Sequence, residues 1–396
     1  MPINRLLILS TGFPAPWQTY IVDQGSDFAA LGVKVTYVST RGPAPEYFSQ
    51  AILARAGGEF QTLFPPGAAD LGYLLLHPVQ VVRMLRYLSR ARADGLRGRL
   101  RRLALIPSAA RLIRLARAQN ADLVHLHSFG DAAHVAALAE RACGLPYSLT
   151  LHGPPSVWGG DIALKGENAR HIFAVTRALA EEIAALCPGR PVSALSMGID
   201  IDRFRWVERS DRKAGEPWTL CSIARLHPSK GHVRVLEAVR RLRDEGHDLR
   251  YLIAGSGPAE GEIRETIARL GLEDAVQMLG PLSGEEVAGL MGRCDIKVLA
   301  SQGEGEAAPV SVMEAMATGL PVICSRIGGT PDMIEDGKQG LLVPPGDTTA
   351  LVDALRRMIE TPDLAASMRV AARQKAVEEF SSAKLTSRVY ARLAAA

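Results

Sequence analysis

Short apolar runs alternate along this chain with longer stretches in which apolar side chains recur every three or four positions. In the first half the runs are RLLILS (5–10), VKVTYV (33–38), DLVHLH (122–127), PYSLTLH (146–152) and HIFAVT (171–176). Runs of this length, bounded by turn residues, predict strands. Between them lie helical patterns such as TYIVDQGSDFAALG, where Ile21, Phe28 and Leu31 fall near one face. A second series begins at WTLCSIARL (218–226). It continues through LRYLIAG (249–255), AVQMLG (275–280), IKVLAS (296–301) and LPVICS (320–325), again with helices between. Strands that alternate with helices predict parallel sheets of the α/β class.

The two series meet at RFRWVERSDRKAGEP (203–217), which is charged, aperiodic and ends in Gly-Glu-Pro, and therefore reads as a linker. The expected division is a Rossmann-like domain over 1–202, the linker over 203–217, a second doubly wound domain over 218–376, and a terminal helix over 377–396. That last stretch breaks near Phe380-Ser381-Ser382 and is expected to pack back onto the first domain. A chain of 396 residues is long for one core and comfortable for two. Ligands of doubly wound sheets bind beyond the carboxyl ends of the strands, so the expected site lies in a cleft between two facing domains.

Composition narrows the class. Hydrophobic residues make up 47% and charged residues 22%, as in soluble globular proteins. No apolar run approaches the ~20 residues of a membrane span. The apolar core Leu6–Leu9 is too short for a secretory signal and reads as a first strand. The five cysteines are scattered, with no C-x-x-C pair, which fits reduced thiols in a cytoplasmic protein. The net charge of +4 is mild, but residues 81–118 hold eleven arginines against one acid, Asp94. Two readings of that segment stay open: a solvated basic helical face, or a peripheral contact through 83–117 with anionic lipid or an anionic acceptor. Nucleic acid fits less well, because few aromatic residues interleave the arginines.

Several short motifs carry candidate chemistry. In SIARLHPSKGH (222–232), Arg225 and Lys230 sit five residues apart at a strand-to-helix corner, where cations and helix-end amides can hold a diphosphate. In IGGTPDMIEDGKQG, Gly328-Gly329-Thr330 follows a strand and lets backbone approach a ligand closely. In GEGEAAPVSVMEAMATG, Glu306 stands in a loop before a helix and Glu314 in its early turns, both good acceptors for sugar or ribose hydroxyls. His152 ends a strand in LTLHGPP, and the doublet His125 and His127 ends another. A metal site at the doublet lacks a third ligand. Asp200 and Asp202 have the D-x-D spacing of some metal-dependent transferases, but their place beside the linker reads as structural. For each motif the alternative is an ordinary turn, cap or core residue.

Taken in order, these residues resemble the family 4 retaining glycosyltransferases of the GT-B fold. The resemblance rests on ARLHPSKG, IAGSGP, the E-x7-E of Glu306 and Glu314 with EAMATGLPVI, and GGTPDMIEDGKQGLLVPPGD. DLVHLH, LTLHG, SMGIDIDRF and FPAPWQTYIVDQ look like the branch that builds bacterial exopolysaccharides. The resemblance implies transfer of a hexose from a UDP- or GDP-linked sugar to a glycan or lipid-linked acceptor, with no metal and no cofactor. It places the acceptor on the first domain and the donor on the second. Arg225 and Lys230 would neutralise the diphosphate, and Glu314 would bind the ribose. Glu306, with Ala307, Ala308, Pro309 and Val310, would meet the donor sugar. Backbone at Met278 and Leu279 would read the base, and His152 would line the reaction centre. Gly12, Phe13 and Thr19 of the N-terminal loop would face the acceptor side.

The pattern departs from the family in places. Only Gly12 stands where many relatives carry a Gly-Gly loop, Asp332 replaces a usual Glu, and Ala307 and Ala308 fill positions often Phe or Gly. Other readings are glycosylation of a small-molecule acceptor, and a non-catalytic lipid-binding protein that would keep the arginine-rich segment but not the donor-site residues. A nucleotide-sugar epimerase or hydrolase of the same fold would release nucleotide without an acceptor. A dehydrogenase would need G-x-G-x-x-G, and GSGPAEG places its third glycine one position late.

Overall fold

A computed structural model describes residues 2–92, 95–127, 129–208, 216–302 and 307–395, with Val157 and Trp158 described in backbone only. The chain divides into two compact units, one of residues up to Gly198 together with those from Ser382, the other Ile199–Ser381.

The first unit opens with β1 (Arg5–Ser10), α1 (Thr19–Ala30), β2 (Lys34–Ser39), α2 (Gln50–Arg55) and the two-residue β3 (Gln61–Thr62). Four helices follow without an intervening strand: α3 (Ala68–Leu76), α4 (Pro78–Leu88), α5 (Gly95–Leu103) and α6 (Leu105–Ala118). The α/β rhythm then resumes with β4 (Leu123–Leu126), α7 (Asp131–Cys143), β5 (Tyr147–Leu151), α8 (Pro155–Trp158), α9 (Ile162–Gly166), β6 (Ile172–Ala174), α10 (Arg177–Leu186) and β7 (Val192–Ala194). The strands form one parallel sheet in the order β3-β2-β1-β4-β5-β6-β7. Crossover helices cover both faces, which is why β1, β4 and β5 are almost wholly buried. Leu31 does not share the buried face of Ile21 and Phe28. It caps the end of α1 and is 42% exposed.

The second unit runs β8 (Trp218–Ile223), α11 (His232–Asp244), β9 (Leu249–Ala254), α12 (Glu260–Arg269), β10 (Val276–Gly280), α13 (Gly284–Gly292), β11 (Ile296–Leu299), α14 (Val310–Thr318), β12 (Val322–Ser325), α15 (Thr330–Met333), β13 (Gly340–Val343), α16 (Thr348–Glu360) and α17 (Pro362–Glu379). Its parallel sheet has the order β10-β9-β8-β11-β12-β13. The core gathers Val235, Leu236 and Val239 of α11, Tyr251 and Ile253 of β9, and Leu355 and Met358 of α16.

The last helix, α18 (Ser382–Ala395), belongs to the first unit. Its Val389 and Leu393 enter the core formed by Leu6, Ile8, Ile21 and Phe28. The break after α17 falls at Phe380 and Ser381, as the sequence suggests, although the chain leaves the second unit at 381 rather than 376. The expected linker is also shorter than its charge implies. Arg369 of α17 donates to the carbonyl of Val207 at 2.9 Å, and its guanidinium lies 5.1 Å from the Trp206 ring. Arg373 donates to the carbonyl of Phe204. Residues 203–208 are therefore bound to the second unit by part-buried carbonyl contacts that charge and aperiodicity do not reveal, and 209–215 lie outside the described residues.

Candidate active site

In the second unit the strand order reverses between β8 and β11, and the segments leaving β8, β11 and β12 emerge side by side at one edge of the sheet. Such a switch point opens a crevice beyond the strand ends. Arg225 stands two residues past β8, exposed, and its guanidinium has no partner among the described residues. Lys230 ends a single turn, Pro228–Lys230, which His227 caps by accepting from the Ser229 amide at 3.2 Å. The loop between them is clamped to the exit of β9. The Leu226 amide donates to the Ser256 carbonyl at 2.9 Å, and the Ala259 amide to the Leu226 carbonyl at 2.9 Å. Gly255 and Gly257 adopt φ of +144° and +153°, and a β-carbon on either would strike the carbonyl of Ala224 or Leu226. The glycines of GSGP thus allow two loops to touch. Buried His232 faces the Arg225 carbonyl through Nε2 at 3.4 Å, and burial pushes its pKa down to about 4. It is neutral at pH 7 and braces the loop as a donor.

The exit of β11 is tied to the same turn. The Gln302 amide donates to the Ser229 carbonyl at 2.7 Å, and Arg234 donates to the Gln302 side chain at 2.5 Å. Glu306 lies outside the described residues, with 303–305. The chain is described again from Ala307, whose carbonyl accepts from the Gly329 amide at 2.6 Å, joining the entrance of α14 to the turn after β12. That turn, with Gly328 at φ +55°, is locked by Thr330, whose hydroxyl accepts from the Ile327 amide and donates to the Ser325 carbonyl. Ala307 and Ala308 are half-buried, and buried Pro309 leads into Val310, where among the described residues no side chain caps the first amides of α14. Glu314 sits half-buried in the second turn. Arg225, Lys230, Ala307–Val310, Glu314 and Gly328 thus collect on three adjacent strands. Met278 and Leu279 lie further along, on edge strand β10, at an irregularity in its pairing with β9.

The first unit presents a second cluster. His127 follows β4 and His152 follows the neighbouring strand β5, with His127 Nδ1 3.0 Å from His152 Nε2. His125 is occupied elsewhere, by the hydroxyls of Ser148 at 2.8 Å and Thr150 at 3.0 Å. The two histidines of the sequence doublet therefore have different partners, and the ring beside His152 is that of His127, a pairing the sequence reading did not make. Its signal was available, since both histidines end strands that are neighbours in chain order. Burial pushes His152 to about 4 and His127 well below its ordinary value, so both rings are neutral at pH 7. One ring must donate to the other, which couples their tautomers: when one outer nitrogen carries a proton, the other is bare. Those outer nitrogens, with the Gln24 amide oxygen, have no hydrogen-bond partner among the described residues. All three residues line a cavity of about 40 Å³, together with Tyr20 and with Leu385 and Thr386 of α18.

In the N-terminal loop, Gly12 takes φ +65° and Thr19 begins α1. Phe13 is 1% exposed and stacks on Tyr37 at 5.2 Å, so it anchors the loop from inside and does not offer its ring to an acceptor. Buried Gln18 stitches the loop, accepting from the Ala15 amide and donating to the Thr11 carbonyl. Asp200 accepts from the amides of Asp202 and Arg203 and builds a turn, in keeping with the structural reading of D-x-D.

Comparison with known proteins agrees with this architecture. Two family models divide the chain: Glycosyltransferase Family 4 matches residues 18–203, and Glycosyl transferases group 1 matches 204–375. The D-inositol 3-phosphate glycosyltransferase of Streptomyces scabiei is 31% identical over 304 residues, 68% of this chain and 67% of that one. The amylovoran biosynthesis glycosyltransferase AmsK of Erwinia amylovora is 36% identical over 202 residues, 50% of this chain and 49% of that one, so the chain spans about half the length of that relative. The crystal structure of Anabaena HepE in complex with UDP matches with a TM-score of 0.76 at 18% identity, covering 100% of both chains. Two doubly wound parallel sheets of this order constitute the GT-B fold. The chain belongs to the family 4 glycosyltransferases.

Proposed function

We propose that the chain transfers a hexose from a nucleotide-diphosphate sugar to a glycan or lipid-linked acceptor, in assembly of a bacterial cell-surface polysaccharide. In this reading the anomeric configuration is retained and no metal ion takes part. One observation carries it: Arg225 and the Lys230 turn follow β8, the start of α14 follows β11 and the Gly328 turn follows β12, three neighbouring strands at the sheet's switch point. Breaking a sugar–diphosphate bond builds negative charge on the leaving phosphate, and fixed cations with helix-end amides stabilise that charge without reorganising. Glu314 offers two acceptor oxygens to ribose hydroxyls. Glu306, by family resemblance, meets the donor sugar, backbone at Met278 and Leu279 meets the base, and neutral His152 meets the reacting centre. The UDP in the HepE crystal structure supports a UDP-linked donor, and the amylovoran relative supports a polysaccharide product.

The test is a thermal-shift screen of UDP- and GDP-sugars, since a specific ligand stabilises the fold by mass action. One donor class is expected to raise the melting temperature. Arg225→Ala and Lys230→Ala should each weaken that donor's affinity by about tenfold or more while melting normally without ligand. Unchanged affinity in both would overturn the donor-site assignment. Nucleotide release that requires an acceptor separates transfer from hydrolysis or epimerisation.

A further inference from the structure

The arginine-rich segment does not form the uniform basic face that its composition suggests. Most of its cations are engaged: Arg83 with the Ala142 carbonyl, Arg90 with Glu167, Arg101 and Arg102 with Asp131, Arg111 with the Pro65 carbonyl, and Arg114 with Asp70. The Arg117 guanidinium lies over the Tyr73 ring. Among the described residues, Arg86, Arg92, Arg97 and Arg99 have no side-chain partner. These four lie on or beside α4 and α5, and α6 holds none of them.

Together with α3, these helices carry nine of the sixteen large apolar side chains that are exposed among the described residues. On α5, Leu96, Leu100 and Leu103 are 73%, 58% and 43% exposed, and no residue of the helix is buried. Their spacing of four and then three residues makes one apolar stripe, and it points to solvent. At the α3–α4 corner, Leu75, Leu76 and Val79 are similarly uncovered. An amphipathic helix normally turns such a stripe toward its own core; here polar Arg101 and Arg102 hold α5 to the protein instead. Beside α4, a depression of about 330 Å³ is walled by Arg83, Arg86, Arg90, Arg141 and Tyr87, of which Arg90 and Arg141 pair with Glu167.

From this arrangement we infer that α3, α4 and α5 form a membrane-docking surface. The leucines of α5 enter the headgroup–acyl boundary of a bilayer, and Arg86, Arg92, Arg97 and Arg99 meet anionic lipid. Apolar residues flanked by unpaired cations match such an interface on both counts, burying apolar area and attracting anionic headgroups. The inference extends past glycosyl transfer, and its test does not depend on transfer.

The experiment is co-sedimentation of the full chain with vesicles of phosphatidylcholine alone or mixed with phosphatidylglycerol, at low and high salt. Binding is expected only with phosphatidylglycerol. Leu96→Ser/Leu100→Ser/Leu103→Ser should lower partitioning by about tenfold or more at either salt concentration. Arg97→Gln/Arg99→Gln should lower it mainly at low salt, because the attraction of exposed charges is screened. Circular dichroism melts of both variants should match the parent, since none of these side chains is buried. Failure of the parent chain to sediment with phosphatidylglycerol, or full binding by the leucine variant, overturns the proposal. A dimer seen in analytical ultracentrifugation and abolished by the leucine variant overturns it as well, by making a second copy the cover of the stripe.

Discussion

At the scale of single residues, the glycines of the loops at the second sheet's switch point set geometry. Gly231 adopts φ +72°, and a β-carbon there would drive into the Ala300 carbonyl at the exit of β11. Gly231→Ala should therefore cost about 2 kcal/mol or more, combining an unfavourable backbone conformation with a backbone clash. Urea unfolding measures this directly, and a loss within about 0.5 kcal/mol would show that the loop relaxes. The chemistry-bearing side chains at this edge were legible from sequence because they follow apolar runs at strand ends. The bracing residues were not. Gln302, Arg234 and His232 act through contacts distant in sequence, and Gly255 and Gly257 imitate a dinucleotide fingerprint while serving loop contact.

At the scale of elements, the closest ion pairs of α5 go to one carboxylate, with Asp161 further off at 3.8 Å from Arg102. Asp131 begins α7 and accepts from Arg101 at 2.7 Å and Arg102 at 2.9 Å, while α5 itself buries nothing. Asp131→Asn should loosen that helix more than it destabilises the fold. Amides of 95–103 should exchange about tenfold faster, with a global loss of about 1 kcal/mol, since the pairs are partly exposed. Hydrogen exchange resolved by segment checks this, and unchanged protection of α5 would refute the anchor. The strands that sequence reading missed, β3, β7 and β13, have plain causes. β3 and β7 are short edge strands without a continuous apolar run, and β13 sits inside a glycine- and proline-rich stretch. The long helical run after β3 was visible as helix, but which of its faces met solvent depended on tertiary contacts.

At the scale of the whole molecule, the titratable burden is uneven. Burial holds His125 and His134 down to about 3, His152 and His171 to about 4, and His127 well below its ordinary value, all in the first unit. In the second unit His232 is the corresponding case. A depressed histidine binds its proton in the unfolded chain first, so its contribution is whole above pH 6.5 and fades as pH falls toward the folded-state value. Each such group removes up to about 1.4 kcal/mol per pH unit in that window. Melting followed from pH 7.5 to 5.5 should therefore show the first unit losing stability faster than the second, read by exchange protection in each sheet. Equal losses in the two would contradict the assignment.

The placement of α18 bears on the order in which the polypeptide can acquire its structure. During synthesis, residues 1–198 leave the ribosome before the second unit exists, yet Val389 and Leu393 of their own core are translated only after all of 199–381. Domains normally fold as they emerge, amino-terminal first. Here the unit begun first is finished last, so its nascent form waits with the surface of α1 uncovered while a complete second sheet assembles behind it. The delay leaves α1 without the helix that packs on it for the length of an entire domain.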